Sequence, residues 1–374
     1  MGARTMLAAI LPLVVELAPT APAAAPWAYH GVVFGGGEWS SVDAPLGSAG
    51  AEASLRAAIA SGASTIRLIP TWYTDGENST SVYRNKNSSG TGPFATETDA
   101  NIGHTMDLAR TMGAKVILGP LLDPNWALPG VLRAGYPGAE CLLWRSGKPD
   151  PEAPRPSHCN DSGNLPSQGR GSIGKSFTEP EWDMWFASYS SMMLANAALA
   201  EKHGAEVLIV AAELWAAMLH SANAGRWRKL TTQIRAVFHG KLAVAANANV
   251  VIPWADAIDI LGFDMYNGLR EYGTLPPPAE EPPTLSMLAS AWSGYITWLR
   301  NISATYRKPI LATELGFQSR PRSYFSPAGS ARFNPGDCSV YMKCYSMEDQ
   351  RLAYAAFYHA FESATERDDG WFAG

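Results

Sequence analysis

Short apolar runs rich in β-branched residues recur along this chain, and helical stretches separate most of them. They are HGVVFGG (30–36), TIRLIPTWY (65–73), KVILGPLLD (115–123), AEVLIVAAEL (205–214), KLAVAANAN (241–249), AIDILGFDMYN (257–267), KPILATELG (308–316) and DGWFAG (369–374). Runs without polar alternation belong to parallel strands buried on both faces. Residues 47–64, 99–114, 179–204, 226–240, 284–306 and 347–367 read as helices, the second of them capped by Asp99. Repeated strand–helix units build either a doubly wound open sheet or a closed barrel. FGGGEWS after the first run lacks the glycine spacing and helical continuation of a dinucleotide site. Eight units in one series therefore predict a single α/β domain, a (β/α)8 barrel whose eighth strand is short or truncated.

Composition narrows the function. Hydrophobic residues make up 47% and charged residues 17% of the 374, which excludes a disordered chain. Net charge is −5 and the longest basic cluster is Arg226, Arg228 and Lys229, so no nucleic-acid partner is expected. Thirteen Trp and fourteen Tyr fill a core or, where they lie in loops, suit ligands with flat apolar faces such as sugars.

Arg4, the apolar stretch Met6 to Val15 and the small residues Ala21, Ala23 and Ala25 have the layout of a secretory signal peptide over 1–25, leaving 26–374 as the barrel domain. A membrane span needs about 20 apolar residues. No other segment is suited to crossing a bilayer, so a secreted protein, free of the membrane after cleavage, is expected. Sequons at Asn78, Asn87, Asn160 and Asn301 fit a secreted glycoprotein. Cys141 and Cys159, and Cys338 and Cys344, form two close pairs in loop-like inserts (124–178 and 318–346), as local disulfides would. Neither pair has the C-x-x-C spacing of a zinc site.

In a barrel of this kind, reacting groups project from the C-terminal ends of the strands. Those ends carry Trp72, Asp123, Glu213, Asn247, Tyr266 and Glu314. VLIVAAEL and PILATEL are apolar strands that both end on a glutamate, in the fourth and seventh runs. A buried carboxylate is costly unless partnered. One such residue is often a cap or an ion-pair partner. Two at facing positions of a closed ring suit a nucleophile and a general acid that then serves as base.

The pattern resembles the retaining glycoside hydrolases built on (β/α)8 barrels, and more narrowly glycoside hydrolase family 113, whose characterised members are β-mannanases. The similar stretches are VFGGGEWS, IRLIPTWYTDGENSTSVYR, VILGPLLD, WDMWFASY, AELW, RWRKLTTQIR, DAIDILGFDMY and KPILATELGFQS, which together span most of 31–374. By this resemblance Glu213 matches the acid/base and Glu314 the nucleophile, and Tyr266 sits where related enzymes place a tyrosine bonded to the nucleophile. Tyr266 as a core aromatic is the other reading. Trp72 stacks on a sugar ring or packs against the first helix. Asp123 accepts from sugar hydroxyls or caps its loop, and Asn247 bonds a hydroxyl or belongs to a turn. Arg67, within the second run, either points inward to pair with a catalytic carboxylate or is an exposed or salt-bridged structural residue.

Relatives in the broader clan place Asn before the acid/base glutamate, where this chain has Ala212. The resemblance implies a monomeric retaining endo-β-glycosidase acting on a polysaccharide, β-1,4-mannan first, with no cofactor and no metal. The seven histidines do not gather at strand ends, which also argues against a metal site. The competing expectation, motivated by Ala212 and the clipped last strand, is a non-catalytic carbohydrate-binding protein on a degenerate barrel.

Overall fold

The apolar runs pair side by side in sequence order, as strands buried on both faces must. A computed structural model describes residues 27–35, 45–85, 95–124, 169–247, 250–266, 268–269, 283–319, 321–325, 327, 346–365 and 370–374. The strands are β1 (Gly31–Phe34), β2 (Thr65–Leu68), β3 (Thr71–Thr74), β4 (Lys115–Leu118), β5 (Leu121–Pro124), β6 (Val207–Ala212), β7 (Lys241–Asn247), β8 (Ile260–Met265) and β9 (Ile310–Leu315). Seven form one parallel sheet in the order β1-β2-β4-β6-β7-β8-β9.

The last four residues close the ring. Ile310 N donates to Trp371 O and Ala373 N to Ile310 O, each at 2.7 Å, while Tyr29 N donates to Ala373 O at 2.8 Å. The terminal segment thus bonds to β9 on one side and to the lead-in of β1 on the other. It stands where an eighth strand would, joined to β9 by one parallel bridge between Ile310 and Phe372. The fold is a (β/α)8 barrel.

Two runs expected as single strands are broken. Proline has no N–H for a ladder. At Pro70 and Pro120 the second and third runs each divide, and their outer halves, β3 and β5, pair as a separate parallel ribbon. This ribbon extends the wall at the strand ends.

Side chains of alternating parity separate two cores. Ile117, Val207, Ile209, Ala243, Ala245, Ile260 and Leu311 meet inside the barrel. Their neighbours, such as Val116, Leu208, Leu242, Val244 and Leu261, pack outward against the helices. Trp182, Trp185, Trp227, Trp254 and Trp292 are fully buried there, so much of the tryptophan surplus is structural.

The helices are α1 (Ala49–Ala60), α2 (Asp99–Thr111), α3 (Glu179–Lys202), α4 (Trp215–Leu219), α5 (Ala224–Arg235), α6 (Leu285–Ser290), α7 (Ser293–Tyr306) and α8 (Met347–Thr365). Thr98, rather than Asp99, caps α2, its side chain accepting from Asn101 N. Thr178 and Glu181 form a capping box on α3. The helix expected over 284–306 is interrupted near Ala291 and Trp292, giving α6 and α7. Among the described residues, no helix is long and apolar enough to cross a membrane. All four cysteines and the sequons at Asn87 and Asn160 lie outside the described residues.

Candidate active site at the strand ends

Glu314 and Glu213 end β9 and follow β6, and each is held by a different set of groups. Glu314 Oε1 accepts from Arg67 Nη1 at 2.8 Å, and its Oε2 accepts from the Tyr266 hydroxyl at 2.7 Å. Arg67 rises from β2 with 3% of its surface exposed and also donates to Thr313 O. Its guanidinium fits because Gly119 stands opposite, where a Cβ would come within 2.9 Å of Arg67 Nε. Gly316 similarly leaves room for the Tyr266 ring, which a Cβ would meet at 3.0 Å.

Glu213 adopts φ = +53°, a left-handed backbone that a residue with a side chain rarely takes. Its N–H still donates to Ala245 O at 2.8 Å, and its carbonyl accepts from Trp215 N at 3.0 Å. The kink turns the chain from β6 into α4. Asn247 Nδ2 donates to Glu213 Oε1 at 2.7 Å, and Arg170 Nη1 donates to Oε2 at 3.2 Å. Asn247 Oδ1 accepts from Trp215 Nε1 at 2.5 Å. The indole donor and the carboxylate acceptor together fix the orientation of this carboxamide. Arg170 is shared: Nε and Nη2 form a two-point pair with Asp123, at 2.6 and 3.0 Å.

The remaining sequence candidate, Trp72, is buried among core side chains, and the Arg84 guanidinium lies 4.6 Å over its ring. The structure therefore joins Arg67, Tyr266 and Glu314 in one cluster and Asp123, Asn247 and Glu213 in another, with Trp72 in neither. His30 meets the Tyr358 hydroxyl at 3.0 Å. Among the described residues, no three His, Cys, Asp or Glu side chains are grouped to hold a metal ion.

Asp264 lies beneath the mouth, 2% exposed, and its position was not singled out from the sequence. In register it links Asn247 of β7 to Glu314 of β9. Its Oδ1 accepts from Thr313 Oγ1 at 2.7 Å and lies 3.7 Å from Arg67 Nη1. Among the described residues, Oδ2 has no partner. Burial pushes this carboxyl well above the usual aspartate range, the charge of Glu314 pushes further, Arg67 opposes, and Glu213 adds a smaller upward push. The Tyr266 phenol is raised in the same way, by burial first, then by the charge and hydrogen bond of Glu314, with contributions from Asp264 and Glu213. In register Asp264 stands between the two corners, opposite Glu314 on one side and opposite Asn247, the partner of Glu213, on the other.

Arg170 and Asp264 escaped the sequence reading for different reasons. Arg170 sits at the end of a long irregular insert, where no periodicity marks a residue as inward-facing. Asp264 carries the same signal as Glu314, a carboxylate inside an apolar strand (ILGFDM), and could have been found by it.

Comparison with known proteins followed the same direction as the geometry. The profile of Glycoside Hydrolase Family 113 matches residues 169–374. A GH113 β-mannanase from Alicyclobacillus acidocaldarius aligns with TM-score 0.61 at 21% identity, over 94% of this chain and 87% of that one. A second structure, described as a GH113 β-1,4-mannanase complex, aligns with TM-score 0.59 at 17% identity, over 92% and 87% of the two chains. A Glycoside Hydrolase Family 5 mannosidase from Rhizomucor miehei aligns with TM-score 0.52 at 12% identity, over 93% and 81%. At such identities these likenesses establish the fold. No curated protein sequence matches the chain.

Proposed function

The chain belongs to Glycoside Hydrolase Family 113, and from that premise we propose that it is a retaining, endo-acting hydrolase of β-1,4-mannan. The substrate comes from the mannanases that share its fold. The chemistry rests on one observation: two glutamates at the strand ends, on strands joined in register through Asp264, are held by separate sets of partners.

Glu314 is the nucleophile. Arg67 and Tyr266 occupy one lone-pair direction on each of its oxygens, fixing the plane of the carboxylate and leaving its other lone pairs available. It attacks the anomeric carbon and forms a glycosyl ester as the bond to the leaving oxygen breaks. Glu213 gives its proton to that oxygen. It then takes a proton from water, which attacks the anomeric carbon, breaks its bond to the Glu314 oxygen and frees Glu314. Asn247, bonded to Glu213, orients the acid/base, and Asp123 does so indirectly through Arg170.

Export as a glycoprotein extends this proposal. Beyond the N-terminal signal pattern, Asn78 and Asn301 are exposed on the surface. A reducing-end assay over β-mannan, glucomannan, cellulose and xylan tests the activity. Wild-type protein should release internal fragments from β-mannan, and Glu314→Gln should lose at least about 10⁴-fold in turnover while remaining folded, with its melting temperature lowered by loss of the Arg67 ion pair. Unchanged turnover in the variant would overturn the assignment.

A further inference from the structure

Among the described residues, Trp215 is the sole exposed large aromatic: 48% of its surface faces solvent, whereas five other tryptophans are fully buried. An exposed indole is usually free to rotate. Here it is not. Its N–H is bonded to Asn247 Oδ1 at 2.5 Å, and its own backbone N–H donates to Glu213 O. Gly171 lies beside the ring, where a Cβ would meet Cδ2 and Cγ at ordinary contact distance, 3.4 and 3.5 Å. The neighbouring residue of that segment, Arg170, holds Glu213. The residue is thus held on several sides while its indole keeps an open surface, and one of its anchors, Asn247, also holds the Glu213 carboxylate.

We propose that Trp215 is the stacking platform for the sugar on the leaving-group side of the scissile bond. This rests on the reading of Glu213 as acid/base. That residue must reach the leaving oxygen, and Trp215 lies two positions beyond it, bonded through Asn247 to the same carboxylate. The sugar carried by the leaving oxygen is therefore the ring within its reach. Sugar rings expose patches of C–H on their faces, and an indole held rigid in advance gives such a face an apolar partner with little ordering cost. Binding a ring there also aligns its oxygen with Glu213, so part of the platform's contribution is felt in the transition state.

The test compares two substrates in the wild type, Trp215→Ala and Trp215→Phe. One is mannohexaose, which places a sugar on the leaving side; the other is a β-mannobiosyl fluoride, whose leaving group is a single atom. Trp215→Ala should lose about tenfold more in kcat/KM on mannohexaose than on the fluoride, with Trp215→Phe between the two. An equal loss on both substrates means that the substitution merely disturbs Glu213, and overturns the proposal. So does no loss on either. If wild-type protein cleaves the fluoride and Glu314→Gln does not, the proposed chemistry stands whatever Trp215 does, and the two ideas fail separately.

Discussion

The two glutamate corners are built differently. Glu314 is held by groups of the barrel wall itself, Arg67 from inside β2 and Tyr266 just past β8, with Asp264 near Arg67 below them. Glu213 is held at the rim, by the last residue of β7 and by Arg170 from a segment outside the main sheet. Its side chain is also more open, 26% exposed against 17% for Glu314. The contrast suits the role proposed for each. A nucleophile gains from a fixed plane and a constant field. A residue that trades protons with a leaving oxygen and then with water needs access and some freedom to move.

Several substitutions would break or sharpen this contrast. Next to the loss expected of Glu314→Gln, the largest belongs to the rim: Glu213→Ala should lower turnover of β-mannan by about 10²–10⁴. Added azide, which needs no general base, should restore turnover of the β-mannobiosyl fluoride, and failure of that rescue would mean Glu213 is not the base. In the wall, Arg67→Met leaves Glu314 without its buried cation. Breaking such a pair typically costs about 3–5 kcal/mol, visible as a lower urea midpoint. The rim pair made by Arg170 should cost less stability when Arg170→Met is measured the same way; equal costs would erase the distinction between the corners.

Tyr266→Phe removes one hydrogen bond to a charged group, worth about 1.5–3 kcal/mol. Since that bond steadies the nucleophile, we expect the loss in kcat rather than in KM. The smallest effect comes from a buried carboxylate outside both corners. Glu97 is 2% exposed, and burial pushes its carboxyl from 4.5 to about 7 against a lowering bond from the Leu46 backbone. A carboxyl raised by folding stabilises while protonated. That contribution is full below the unfolded value and is lost as pH rises through about 7. Glu97→Gln should therefore flatten the decline of melting temperature between pH 4.5 and pH 7, leaving the pH profile of hydrolysis in place.

Much of this was legible in the chain because burial leaves a strong mark. VLIVAAEL and PILATEL are apolar until their final glutamate, and the structure puts both ends at the mouth. Arg67 was visible as a cation inside an apolar run, and the structure buries it in an ion pair with Glu314. What was not legible depends on tertiary proximity. Pro70 and Pro120 interrupt their strands, yet nothing local shows that the outer halves pair with each other. Arg170 reaches Asp123 and Glu213 across a stretch without periodicity. Trp215 lies within AELW, where the sequence cannot distinguish an exposed indole from a packed one.

The direct test is to trap the ester. The protein would be incubated with a 2-deoxy-2-fluoro-β-mannosyl fluoride, digested, and mapped by mass spectrometry. We expect one covalent sugar, on Glu314, accumulating as activity falls. A label on Glu213, or activity lost with no label at all, would contradict the division of labour between the two corners.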